Sequence, residues 1–199
     1  MSTLDLRRSL SPVRTGVWVG IGAITMSFAA YTSAMVVREG AAADWQHIRL
    51  PSLIYVNTLV LLLSSVTLYL GETRVRWSWL RAASDESSAR GVRPEGLHWL
   101  DLTLVLGLLF LAGQILVWRD LAGRGLYLAT SPNSSFLYVF TALHAVHLLG
   151  GILAMGYLLL RIRGGSDAPP DQALSGVSLY WHFMDVLWLY LLLILAVRL

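Results

Sequence analysis

The chain has 199 residues, 56% of them hydrophobic and only 14% charged, with a net charge of +3 and no cysteine. That is the composition of a membrane protein, with no room for a separate soluble domain of ordinary size. The missing cysteines exclude disulfides, thiolate metal sites, iron–sulfur clusters and thioether-linked haem, and the arginine clusters between apolar runs argue against nucleic acid as a partner.

About 20 apolar residues cross a hydrocarbon core about 30 Å thick, and five runs are long enough. The first, 16–37, is too long and too late for a secretory leader, and no small-residue cleavage site follows it. The second is 51–70. The connection after it, 71–96, is the only long one: "ETRVRWSWLRAAS" reads as a helical continuation with Trp77 and Trp79 at headgroup level, and "DESSARGVRPEG" as a loop. The remaining spans are 97–117, 136–160 and 177–197, with "RGGSDAPPDQ" as the last loop. The fold class is therefore an all-α membrane protein, a five-transmembrane-helix bundle in one domain over 1–199.

Every basic residue is an arginine. Ten of them (Arg7, Arg8, Arg14, Arg74, Arg76, Arg81, Arg90, Arg93, Arg161, Arg163) fall on one side of the membrane, and five (Arg38, Arg49, Arg119, Arg124, Arg198) on the other. The positive-inside rule puts the N-terminus in the cytoplasm and the C-terminus outside, so 71–96 is a cytoplasmic connection.

Polar residues inside the spans are the candidate functional groups. The second span holds Asn57, Ser64, Ser65 and Thr67, the third Gln114, with Asp101 near its inner end. In the fourth, "FTALHAVHLLGGILAMG" sets His144 and His147 three residues apart on one face, continued by Gly150 and Gly151, whose small size allows close helix approach. The fifth repeats the spacing with His182 and Asp185.

Three readings compete for these groups. Haem ligation needs axial ligands at matching depth on facing helices, and His144 and His147 are too close on one helix to serve two stacked haems. A proton relay uses such residues, but the outer half offers little beyond Gln114. A buried packing network of His144, His147, His182 and Asp185 is the third. At 1.5 Å per residue, His147 lies roughly 12–20 Å and Asp185 roughly 10–13 Å from the inner face, so the two can meet as a pair. The depths favour the packing network. Inverted repeats and broken helices, marks of a small transporter, are absent from the sequence.

The phrases "FLYVFTALHAVHLLGGILA" and "SLYWHFMDVLWLYLLLIL" resemble subunit III of the haem–copper oxidases, the cytochrome c oxidase subunit III family. The residues that carry the resemblance are His144, His147, Gly150 and Gly151, and then Tyr180, Trp181, His182, Phe183, Asp185 and Trp188. Asn57, Ser64, Ser65 and Gln114 lie in stretches similar to the family's other helices, and Trp18 in one that resembles its opening helix. The chain matches the short bacterial form of five helices, which lacks the first two of the longer members. It departs from the pattern at Ile24, where the family usually has a glutamate six residues after the tryptophan.

The resemblance implies a subunit without catalytic, cofactor-binding or metal residues of its own, within a respiratory oxidase of the bacterial inner membrane. Haem and copper would sit in the partner subunits I and II, and phospholipid would be bound. The implied role is to pack on and stabilise subunit I, and to support lipid and oxygen access and proton uptake. A related accessory subunit of nitric oxide reductase and a haem b quinol-anchor protein are the alternatives.

Overall fold

A computed structural model describes residues 12–41, 50–84, 95–164 and 171–198. Five helices make it up: α1 Pro12–Ala41, α2 Leu53–Ser84, α3 Leu97–Gly123, α4 Pro132–Arg163 and α5 Asp171–Arg198. Each is long and apolar enough to cross a membrane. All run beyond the purely apolar stretches of the sequence. The apolar runs stop at the first charge, whereas backbone hydrogen bonding continues through the interface, where long arginine side chains reach back to water. The helical continuation through "ETRVRWSWLRAAS" is present as the last part of α2. Arg7, Arg8, Arg49, Arg90, Arg93 and most of "DESSARGVRPEG" and "RGGSDAPPDQ" lie outside the described residues.

Local chemistry fixes the helix starts. Ser131 caps α4: its hydroxyl accepts from the Ser134 N–H, the Ser134 hydroxyl accepts from the Ser131 N–H, and Pro132 occupies the first turn. Gly96 opens α3 with φ 95°, a left-handed conformation that favours glycine, and a Cβ there would lie 2.6 Å from the Arg74 Cβ.

The bundle alternates direction. Asn57 meets Gly113 and Gly71 meets Leu100 between α2 and α3, where added Cβ atoms would fall 2.2 Å and 2.6 Å from side-chain atoms. Trp118 donates to Thr141 at 3.0 Å between α3 and α4. Between α5 and α2, Trp181 reaches Ser64 and Trp188 reaches Thr58. α1 runs parallel to α5, joined by Tyr190 to Thr32 and by an Arg198–Glu39 ion pair at 3.1 Å. We call the end where α1, α3 and α5 begin the near end.

Because the helices are apolar on all sides, hydrophobicity alone cannot distinguish inside from outside. The core is set instead by aromatic bulk and paired polar groups. Phe28, Phe110, Phe140, Trp181 and Trp188 are buried, with Trp181 inserted against Gly107, where a Cβ would sit 2.7 Å from its ring. Asp101 and Arg163 join α3 to α4 at the near end with a contact of 2.7 Å.

Candidate functional site

α5 is the hub, and its polar side chains meet those of α2. Indole N–H groups in hydrocarbon need an acceptor, because no water is at hand to supply one. Trp181 Nε1 donates to the Ser64 hydroxyl at 3.0 Å, and Trp188 Nε1 to the Thr58 hydroxyl at 2.9 Å. One residue further round, His182 Nδ1 shares a hydrogen bond of 2.6 Å with the Ser65 hydroxyl. Nearer the near end, Ser178 donates to Glu72 at 2.6 Å. Glu72, Ser178, His182 and Ser65 thus form one polar seam along the α2–α5 contact.

Asp185 sits at the deep end of this seam, 4% exposed, with the Ser65 hydroxyl nearby, and neither carboxyl oxygen has a hydrogen-bond partner among the described residues. The pair expected between Asp185 and His147 is therefore not formed. His147 Nδ1 bonds the Leu143 carbonyl of its own helix at 2.7 Å, and its ring lies edge-on to Phe28 of α1. Depth allowed the pair; rotation about the helices forbids it.

Rotation also separates the two histidines of α4. Three residues advance a helix by about 300°, so the rings point about 60° apart. His144 is fully buried between Phe110 of α3 and Trp188 of α5, with ring centroids at 5.9 Å and 4.9 Å, and neither ring nitrogen has a hydrogen-bond partner among the described residues. His147 faces α1 instead. The four groups do not make one network: His182 and Asp185 belong to the α2–α5 seam, His144 to the α3–α5 core, and His147 to the α1 side.

The remaining motif residues are placed by packing. Asn57 donates to the Phe110 carbonyl at 3.1 Å, which binds α2 to α3. Gln114 is buried with no partner for its amide among the described residues. Gly151 lets the Tyr180 ring approach to 3.1 Å of where its Cβ would be, and the Tyr180 hydroxyl donates to the His147 carbonyl at 2.9 Å. Gly150, by contrast, meets nothing and lines a groove. Phe183 packs against the core, and Trp18 is 55% exposed. Ile24, at the position of the family's usual glutamate, is buried in the core cluster.

The groove, about 450 Å³, runs between α1, α4 and α5 at the near end. Val17, Ala154, Leu158 and Val177 give it apolar walls, and Arg161 stands at its mouth.

A haem would need axial nitrogens free on facing helices. Here the three histidines of the spans lie in different surroundings, His144 between Phe110 and Trp188, His147 against Phe28 and His182 against Ser65. Among the described residues, no cluster of three or more His, Cys, Asp or Glu side chains is arranged to hold a metal ion.

Thr58, Glu72 and Ser178 were the groups the sequence did not single out. The signal was available: each tryptophan of α5 requires a hydroxyl on a facing helix.

Asp185→Leu is expected to leave the heat stability of the isolated chain unchanged or to raise it slightly. It removes a buried carboxyl without hydrogen bonds and leaves no partner stranded. Thermal unfolding in detergent checks this. A loss of about 3–5 kcal/mol would mean that Asp185 is paired after all.

The family model described as cytochrome c oxidase subunit III matches residues 22–197, which covers nearly the whole bundle. "Cytochrome c oxidase subunit 3" of Corynebacterium diphtheriae is 34% identical over 76% of this chain and 66% of its own length. "Probable cytochrome c oxidase subunit 3" of Mycobacterium tuberculosis is 32% identical over 93% of this chain and 86% of its own. "Cytochrome c oxidase subunit 3" of Thermostichus vulcanus is 29% identical over 71% and 64%.

Proposed function

Because the chain belongs to the cytochrome c oxidase subunit III family, we propose that it is the non-redox subunit III of a respiratory terminal oxidase in a bacterial inner membrane. It packs on subunit I and stabilises it during turnover, while haem and copper are carried by subunits I and II. The observation that carries this reading is how the intramembrane polar groups are used. Trp181, Trp188, His182 and Asn57 spend their hydrogen bonds on neighbouring helices, and His144 is sealed among rings. Such side chains lock helices in register.

With the N-terminus in the cytoplasm, as the arginine distribution requires, the near end is cytoplasmic. The groove at Arg161 then opens to the inner leaflet and holds a phospholipid, whose acyl chain maintains a fluid route for oxygen toward subunit I. The acidic and basic groups at this end, Glu72, Asp101, Arg161 and Arg163, lie where protons enter from the cytoplasm.

The test is spectroscopic. The purified, folded chain is expected to show no Soret band and no stoichiometric copper or iron. Haem or metal bound one-to-one would overturn the non-redox assignment.

A further inference from the structure

The outward faces of the bundle are not equivalent. On α3 and α4, mid-span exposed positions are aliphatic, among them Val105, Leu108, Val146, Leu149 and Leu153, and the half-buried His147 of α4 turns to Phe28 of α1. Such a surface suits lipid. On α5, between the flanks of α1 and α2, the exposed line Val186, Leu189, Leu193 and Val197 is continued toward the near end by His182, one turn before Val186. His182 is half-buried, and lies about 8 Å along α5 from Val177, where the apolar span begins, so it stands inside the hydrocarbon. Its Nδ1 is engaged by Ser65, and Nε2 is not among the buried, unpartnered atoms, so it stands at the bundle surface. Ionisable side chains at this depth face protein or a water-filled cavity, not acyl chains. Serine hydroxyls elsewhere on the surface do not pose this problem: Ser27 of α1 turns back to the Ala23 carbonyl of its own helix.

We infer that the His182–Val186–Leu189–Leu193 face of α5 is where a transmembrane helix of the partner oxidase subunit docks, with a hydrogen-bonding side chain of that helix meeting His182 Nε2. This rests on the subunit III reading, and it picks out which side of the bundle faces the partner. The Ser65 bond presents the imidazole outward in a fixed orientation, and the aliphatic residues beyond it supply a smooth surface for packing. Position and register are set by one polar contact in an apolar strip, a pattern that specifies pairing between membrane helices.

The sequence holds no cysteine, so an introduced one is the single thiol through which this chain is labelled. A photo-crosslinker is attached through Val186→Cys, and in a second variant through Val146→Cys on the α4 face, in membranes containing the intact complex. The Val186 probe is expected to give an adduct with the large oxidase subunit, and the Val146 probe lipid adducts. Lipid adducts alone at Val186, or an adduct of twice the chain's mass, would overturn the proposal, the latter pointing to a second copy.

His182→Leu should weaken retention of the chain in a detergent wash about threefold to tenfold, the range of interhelical hydrogen bonds in membranes. Ser65→Ala, which breaks only the internal bond, should cost less. Equal losses from both variants would assign the effect to folding of this chain and sink the docking contact. Should the chain not co-purify with oxidase subunits at all, it is the subunit III reading that fails.

Discussion

Trp181→Ala is expected to be the most damaging single substitution in the bundle. Trp181 is fully buried, its ring fills the space that Gly107 leaves on α3, and its Nε1 donates to Ser64 of α2. One side chain thus ties three helices. Truncation leaves a cavity lined by rigid neighbours and removes the donor to Ser64. The cost is about 3–5 kcal/mol, typical of losing a buried tryptophan. In a chain of this size that lowers the unfolding midpoint by roughly 6–20 °C. Trp18→Ala is the internal comparison: that ring is 55% exposed, and surface substitutions stay within about 0.5 kcal/mol. Helical circular dichroism against temperature in detergent distinguishes them. Equal shifts would mean that the α2–α3–α5 contact is not the core of the fold.

The sequence made the five spans legible because each is a long apolar run, and the extension of α2 legible because its charges and tryptophans suit an interface. Which histidine faces which helix was not legible. Spacing of three residues suggests a shared face, yet the residual 60° of rotation is enough to put His144 against Phe110 and Trp188 and His147 against Phe28. In helices that are apolar all round, no amphipathic stripe fixes the rotation; packing does.

The Asp185–His147 pair failed for the same reason, since depth along the membrane is one coordinate and azimuth another. Ser65 shows the converse. It was visible only as a small hydroxyl in the second span, and its importance comes from meeting His182 and standing beside Asp185. Gly150 and Gly151 look alike in sequence and both line the groove, but of the two Gly151 alone has the Tyr180 ring packed against it.

The second large effect concerns the oxidase as a whole. A complex assembled without this chain is expected to keep its haem spectrum and its initial rate, because the proposed function routes no electron through these helices. It should then lose activity during sustained turnover. On the proposed function, five apolar helices cover a face of subunit I, and a detergent belt or bulk lipid replaces that cover poorly, so water and disordered lipid reach surfaces that the intact complex keeps packed. A chain carrying Trp181→Ala should fall between the two cases, since a loosened bundle detaches more readily.

The most direct measurement of the stabilising role is oxygen consumption followed to exhaustion in matched preparations with and without the chain. The proposed function predicts equal starting slopes and an earlier, progressive decline in the depleted enzyme. Superimposable curves, or a depleted enzyme that never begins to consume oxygen, would contradict it.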